Sequence, residues 1–263
     1  WGSNGSGQLG DGTNTSRSVP MAVSGTVKFQ ALAAGASHTC GLTADGKAYC
    51  WGYNANGQLG DGTTSYRNVP TVVQGGLTFR SLTSVYLHNC GVTTGGAAYC
   101  WGYNAYGQLG DGTTTPQSVP TIVPGGFTFQ SLTAGQSHTC GVTGAGVAYC
   151  WGYNAYYQLG DGTTTQRPAP TAVQGGIVFQ SLTAGTYHTC GVTTGGAAYC
   201  WGYNWNGLLG DGTSGSRNVP TAVVGGLTFQ ALTVAFGHTC GLTGGGAAYC
   251  WGSNGYGQLG NGN

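Results

Sequence analysis

The chain has 263 residues and a formal net charge of +1, from seven Lys and Arg against six acidic residues, all of them Asp. Charged residues make up 5%, against about 25% in an average chain, so the clustered cations that nucleic-acid binding needs are absent. No apolar run approaches the ~20 residues of a membrane helix, and the 54 glycines recur at fixed places, as turn residues do and linker glycines do not.

Residues 1–13 read WGSNGSGQLGDGT and return almost unchanged at 251–263. Val27–Ala34 is apolar enough for an inner strand. Gly35-Ala36-Ser37 is a short loop. Next come two strands, His38–Thr43 and Lys47–Gly52, joined by Ala44-Asp45-Gly46, where Gly46 supplies the positive φ that a three-residue hairpin loop needs. A long turn-rich loop, 53–63, leads to a fourth strand over Val69–Val73. Proline near its start marks it as an edge strand, because proline cannot donate to a ladder; Pro20, Pro120, Pro170 and Pro220 sit alike. Gly75-Gly76 turns the chain back. The hairpin recurs from His88, His138, His188 and His238, at a step of 50 residues. No stretch shows helical periodicity with caps.

Four short strands per unit describe an all-β fold, a β-propeller of four-stranded blades, with 1–263 read as one five-repeat domain. Each unit is too small to bury both faces of its sheet, so neighbours must cover them. Cys40, Leu42, Ala48 and Cys50 share one hairpin face; Thr39, Gly41, Tyr49 and Trp51 share the other. The five repeats are expected to close on themselves, with Val19–Val23 beside the last hairpin. The alternatives are a segment of a longer array, or ends that pair with another molecule.

The hairpin register places Cys40 opposite Cys50. Opposed residues in an antiparallel pair are about 4.5–5.5 Å apart at Cα, within disulfide range. The same arithmetic pairs Cys90 with Cys100, Cys140 with Cys150, Cys190 with Cys200 and Cys240 with Cys250, which uses all ten cysteines. Zinc is the rival, since His38 precedes Cys40, but structural zinc prefers four ligands and each repeat offers three. Disulfides imply an oxidising compartment, hence an extracellular or cell-surface protein. No signal peptide precedes Trp1, which reads as a processed or trimmed chain. Asn4-Gly5-Ser6 and Asn14-Thr15-Ser16 are glycan acceptor patterns.

The succession Gly-x-x-His-Thr-Cys-Gly-Leu, Ala-Tyr-Cys-Trp-Gly-Tyr-Asn, Gly-Gln-Leu-Gly-Asp-Gly-Thr and Val-Pro resembles the repeat of the regulator of chromosome condensation family, across essentially the whole chain. The cysteine-bearing variant resembles repeats of secreted bacterial proteins. The resemblance implies a β-propeller. It does not carry over the nuclear exchange activity of the family's seven-bladed namesake, because this chain has five repeats, few charges and paired cysteines. Other members inhibit β-lactamases or act as adhesion and binding modules. Val85 and Ala235 in place of glycine, Asn89 for threonine, Leu208 for glutamine and Asn261 for aspartate depart from the pattern and read as drift.

His38, His88, His138, His188 and His238 invite a metal ring, yet a residue at one slot of every blade is more simply a repeated structural hydrogen bond. Asp11, Asp61, Asp111, Asp161 and Asp211 invite calcium, yet one aspartate per loop is thin for six to eight ligands, and Asp-Gly-Thr is a turn whose carboxylate caps backbone N–H groups. No metal or cofactor is therefore expected. Without a carboxylate pair, nucleophile elbow or phosphate loop, neither is an enzyme. The slots that vary between repeats are the candidates for partner binding. In the inner loop these are Tyr86, Leu87, Gln136, Tyr187 and Phe236. In the long loop they are Tyr106, Tyr156, Tyr157, Trp205 and Tyr256. Exposed Tyr and Trp are frequent contact anchors. The expected function is a secreted, non-enzymatic binding or adhesion module for a protein or glycan. The alternatives are a subunit of an extracellular fibre or surface assembly that self-associates through the chain ends, and an enzyme inhibitor.

Overall fold

A computed structural model describes residues 1–262. The chain forms two compact units, Trp1–Leu132 and a second from Thr133 onward. In the first unit β1 (Phe29–Ala34), β2 (His38–Thr43), β3 (Ala48–Gly52) and β4 (Arg67–Val72) make one antiparallel sheet in chain order. A second sheet follows from β5 (Phe79–Val85), β6 (His88–Thr93), β7 (Ala98–Gly102) and β8 (Gln117–Ile122). The unit boundary falls inside β9 (Phe129–Ala134). Beyond it come β10 (His138–Thr143), β11 (Ala148–Gly152) and β12 (Arg167–Ala172). The next sheet is β13 (Phe179–Ala184), β14 (His188–Thr193), β15 (Ala198–Gly202) and β16 (Arg217–Ala222). The last has three strands, β17 (Phe229–Val234), β18 (His238–Thr243) and β19 (Ala248–Gly252). These are the expected all-β, propeller-type blades.

The hairpin register is the one that the turn dictates. Leu42 faces Ala48 and Cys40 faces Cys50. Gly46 has φ +78°, and its N–H donates to the Thr43 carbonyl at 2.9 Å. The five disulfides join the expected partners, each spanning 10 residues with Cα atoms 4.1 Å apart, slightly closer than the facing-pair distance predicts. No cysteine is free, so the zinc alternative has no thiolate to use. The inner strand is shorter than Val27–Ala34, starting at Phe29, and a bulge between Phe29 and Ala31 interrupts its pairing. The outer strand begins two residues earlier than Val69, because Arg67 pairs with Gly52. Pro70 lies in β4, which pairs with β3 alone. Val19–Val23 forms no strand; the bridge between Gly2 and Arg17 lies just before it.

Burial explains why one blade is not a fold. Cys40, Leu42, Ala48 and Cys50 lose their solvent to Phe79 and Trp101 of the following blade, with Leu59 and Val73 completing the cluster. In the second unit Cys140, Val142, Ala148, Cys150 and Leu159 are covered by Phe179 and Trp201. Burial of a Phe or Leu side chain contributes about 1.5–3 kcal/mol. A lone hairpin would leave that surface wet. The opposite face is closed within the blade. A Cβ on Gly41 would come within 2.5 Å of the Phe29 ring, so only glycine lets the inner strand's aromatic lie flat on β2.

Candidate binding site

The loop before a blade holds it through one backbone carbonyl. Gln8 O accepts from Thr39 Oγ1 at 2.9 Å and from Trp51 Nε1 at 3.0 Å. Gln158 O accepts from Thr189 Oγ1 and Trp201 Nε1 at 2.9 and 3.0 Å. Residues 1–13, the first copy of the duplicated segment, are therefore the latch of the first blade. Leu208 does the same work for Thr239 and Trp251 at 2.9 and 3.0 Å, which is why a leucine is tolerated there: the main chain makes the bond. Asn89, in the threonine slot, donates Nδ2 to Gln58 O at 2.6 Å.

The histidines tie blade to blade. His38 Nε2 lies 2.8 Å from Asn89 Oδ1, His138 Nε2 is 2.9 Å from Thr189 Oγ1, and His188 Nε2 is 3.1 Å from Thr239 Oγ1. Each acceptor has spent its own donor on the loop carbonyl, so the imidazole Nε2–H is the donor. Burial holds His38, His88 and His188 neutral: His88 is pushed down to about 3, with His38 adding to the shift, and His188 to about 4, with His238 adding. They are structural bonds, as the sequence suggested, although the partner lies 51 residues away and not in the adjoining loop.

The aspartates likewise serve their own loops. Asp61 Oδ1 accepts from Thr63 N at 3.0 Å and Thr63 Oγ1 at 2.7 Å, while Arg67 pairs with Oδ2 at 2.8 Å. Arg17, Arg167 and Arg217 repeat the ion pair with Asp11, Asp161 and Asp211, and Gln117 substitutes toward Asp111 at 3.1 Å. Burial raises the Asp61 carboxyl, but the bonds from Thr63 and Arg67 outweigh it and leave the group below its usual range. The arginines were not singled out from the sequence; their recurrence six residues after four of the five loop aspartates is the signal that finds them. Asn54, fully buried, organises the same loop, giving Nδ2 to Asp61, Thr63 O and Ser65 O and accepting from Leu59 N. Asn4 is its counterpart. Its Nδ2 is buried and committed to Asp11, Thr13 O and Thr15 O, so glycan attachment at Asn4 is incompatible with this fold. Asn14 is exposed and keeps that option.

The varying slots lie outside these networks. In the first unit Tyr86 is exposed at φ +49°, and Leu87 O accepts from Tyr103 N at 3.0 Å. Tyr103 and Tyr106 have ring centroids 6.3 Å apart. The Tyr103 phenol is raised by burial, with Tyr106 and Tyr86 adding. In the second unit Tyr156 sits among three tyrosines, with centroids 6.1 Å from Tyr153, 4.8 Å from Tyr187 and 5.2 Å from Tyr203. Gln136 is half-buried, its N–H reaching Gly185 O at 3.4 Å. Tyr157 takes φ +66° in a slot that every other loop fills with glycine. Trp205, Phe236 and Tyr256 are 65%, 78% and 98% exposed and face one cleft of about 500 Å³. Tyr103, Tyr153 and Tyr203 were missed as rim residues because they recur in nearly every repeat and read as framework.

Disulfide-stapled blades of three or four strands, latched by preceding loops, define a propeller-type scaffold whose variable aromatics lie on loops. The RCC1-like domain matches residues 1–263, and the chain belongs to that family. No curated protein matches it. Among solved structures it is similar to human WBSCR16, at 23% identity and a TM-score of 0.80 over 91% of this chain and 65% of that one. It is also similar to the entire ectodomain of the Physcomitrella patens receptor kinase CR4, at 27% identity and a TM-score of 0.55 over 86% and 50% of the two chains. Yeast RCC1 (Prp20), solved bound to Kap60, is 17% identical with a TM-score of 0.53 over 86% of this chain and 70% of that one. The chain thus spans about two thirds of the length of WBSCR16 and half that of the CR4 ectodomain.

Proposed function

We propose that this chain is a secreted, non-enzymatic binding module of the cysteine-bearing bacterial type, which holds a protein or glycan partner through its aromatic loops. The observation that carries this reading is the split within each repeat. From Trp51 to Leu208 the positions of Trp51, Asn54 and Gln58 are buried and repeat with one exchange, leucine for glutamine, while the inner-loop and long-loop slots between them vary toward exposed Tyr, Trp and Phe. Tyr157 adds weight, because a tyrosine at φ +66° costs about 1–2 kcal/mol that a glycine would not, and strain of that kind collects at functional sites. Five disulfides support an oxidising compartment. The loop aspartates are held by Arg and Thr and are not aimed at a substrate, which supports the absence of catalysis. A related propeller, yeast Prp20, is described as bound to Kap60, which supports a protein as partner.

The test is an immobilised peptide array and a glycan array probed with the intact protein and with a variant carrying Tyr86→Ala, Tyr187→Ala and Phe236→Ala together. Loss of the bound features in the variant is the expected result. Identical patterns from the two proteins would reject the aromatic loops. A self-assembling subunit is the second reading, favoured by Val72 and Ile122, half-exposed on the edge strands β4 and β8, each paired on one side, where an apolar edge invites pairing with another chain. Scattering mass that stays constant across a concentration series would remove it.

A further inference from the structure

We infer that the cleft between Trp205, Phe236 and Tyr256 is a docking site for an uncharged, proline-rich segment of a partner protein in the extended polyproline conformation. The inference rests on the binding-module reading above and adds the chemistry of the occupant.

Three observations lead there. The cleft, about 500 Å³, falls within the range of ligand sites, about 300–1,000 Å³. Its lining contains no Asp, Glu, Lys or Arg, so a charged ligand would surrender its hydration without a counter-charge. The lining is also mostly aromatic and apolar. The polar side chains at its border are Asn206, His238, Ser253 and Gln258, and Gln258 Oε1 already accepts from Tyr256 N at 2.8 Å.

That last point separates two uncharged ligand classes. A sugar carries a hydroxyl on nearly every ring carbon, and each one desolvated without a partner costs about 1–3 kcal/mol. Here few partners are on offer. A polyproline helix has no N–H groups to satisfy, keeps its carbonyls in water, and presents flat pyrrolidine rings to aromatic faces. It is also already ordered, so docking costs little chain entropy. The loop is built to present its aromatic: Trp205–Gly207 forms a single 3-10 turn with Asn206 at φ +57°, and Trp205 stands 65% exposed beside it. The other blade tryptophans from Trp51 to Trp201 are buried.

The experiment uses the full chain with Trp1→Phe as background, since Trp1 is also exposed, and titrates a synthetic deca-proline peptide by tryptophan fluorescence and calorimetry. Cellohexaose serves as the neutral-sugar probe. The expected result is saturable deca-proline binding with a blue shift of the exposed-tryptophan emission and a negative heat-capacity change. Phe236→Ala and Tyr256→Ala should each weaken it at least tenfold. Both side chains are exposed, and an unchanged melting profile confirms that the variants fold. No deca-proline binding at millimolar peptide, or binding that both variants retain, overturns the proposal. Cellohexaose binding that the same variants lose, without deca-proline binding, also overturns it but leaves the binding-module reading intact. That broader reading falls separately, on identical array patterns for the triple variant.

Discussion

Two positions only two residues apart in the long loop behave oppositely. The Asn54 slot holds asparagine in every repeat, and in all five loops from Asn4 to Asn204 the side chain is fully buried. The Asn56 slot holds serine, asparagine or tyrosine, and at Tyr106, Tyr156 and Tyr256 the ring is exposed. The first position turns the loop inward with four hydrogen bonds; the second is carried outward by that turn. A rigid interior is thus what sets the rim aromatics in place, so damage to the interior should cost stability and damage to the rim should cost binding.

The sharpest break comes from the sulfurs. A hairpin disulfide closing about ten residues is worth roughly 2.5–3 kcal/mol in the entropic account, and there is one in each of five blades. Full reduction should abolish the cooperative melting transition, as read by calorimetry with and without reductant. A sharp melt at an unchanged temperature after verified reduction would contradict the stapled blade. Next in size is Trp201→Ala. The indole is fully buried, covers the Cys140–Cys150 cluster and holds Gln158 O, so a loss of about 3–5 kcal/mol in urea unfolding is expected.

Acid should loosen the interior through the histidines. An unfolded imidazole takes up its proton near pH 6.5, whereas folded His188 does so only near 4. Between those values the unfolded chain binds more protons, so stability is full above about 6.5 and falls as the pH drops toward 4. The loss traceable to His188 reaches about 3 kcal/mol by pH 4, at 1.36 kcal/mol per unit. Melting temperature against pH reads this slope, and His188→Gln should flatten it. Tyr157→Gly is the smallest effect and has the opposite sign. Relief of the left-handed strain returns about 1–2 kcal/mol, and glycine's extra chain entropy takes back about 0.5–1. The variant should therefore melt slightly higher while, on the proposed function, binding its array ligands more weakly. A rim residue whose removal destabilised the fold as Trp201→Ala does would erase the contrast.

Legibility in the sequence follows the range of the interaction. The hairpin register and the five sulfur pairs were readable because a three-residue turn and a period of two leave one facing residue for each cysteine. The capped Asp-Gly-Thr turn was readable for the same reason, since Asp61 and Thr63 are two apart. The arginine partner at six residues was within reach but overlooked. Acceptor tripeptides misled at Asn4, because a three-residue pattern carries no information on burial.

What the sequence determined alone is therefore the blade: its strands, its staple and its need for a neighbour, all set by local turn geometry and a strict 50-residue repeat. Tertiary structure decided what the repeated polar residues are for. His38 meets Asn89 and Trp101 meets Gln58 O only when one blade lies against the next, and the freedom of Trp205, Phe236 and Tyr256 to face a common cleft arises the same way. Contacts between residues some 30 to 51 positions apart depend on how sheets stack, and stacking is fixed by the shape of the buried faces, which no short stretch of chain encodes.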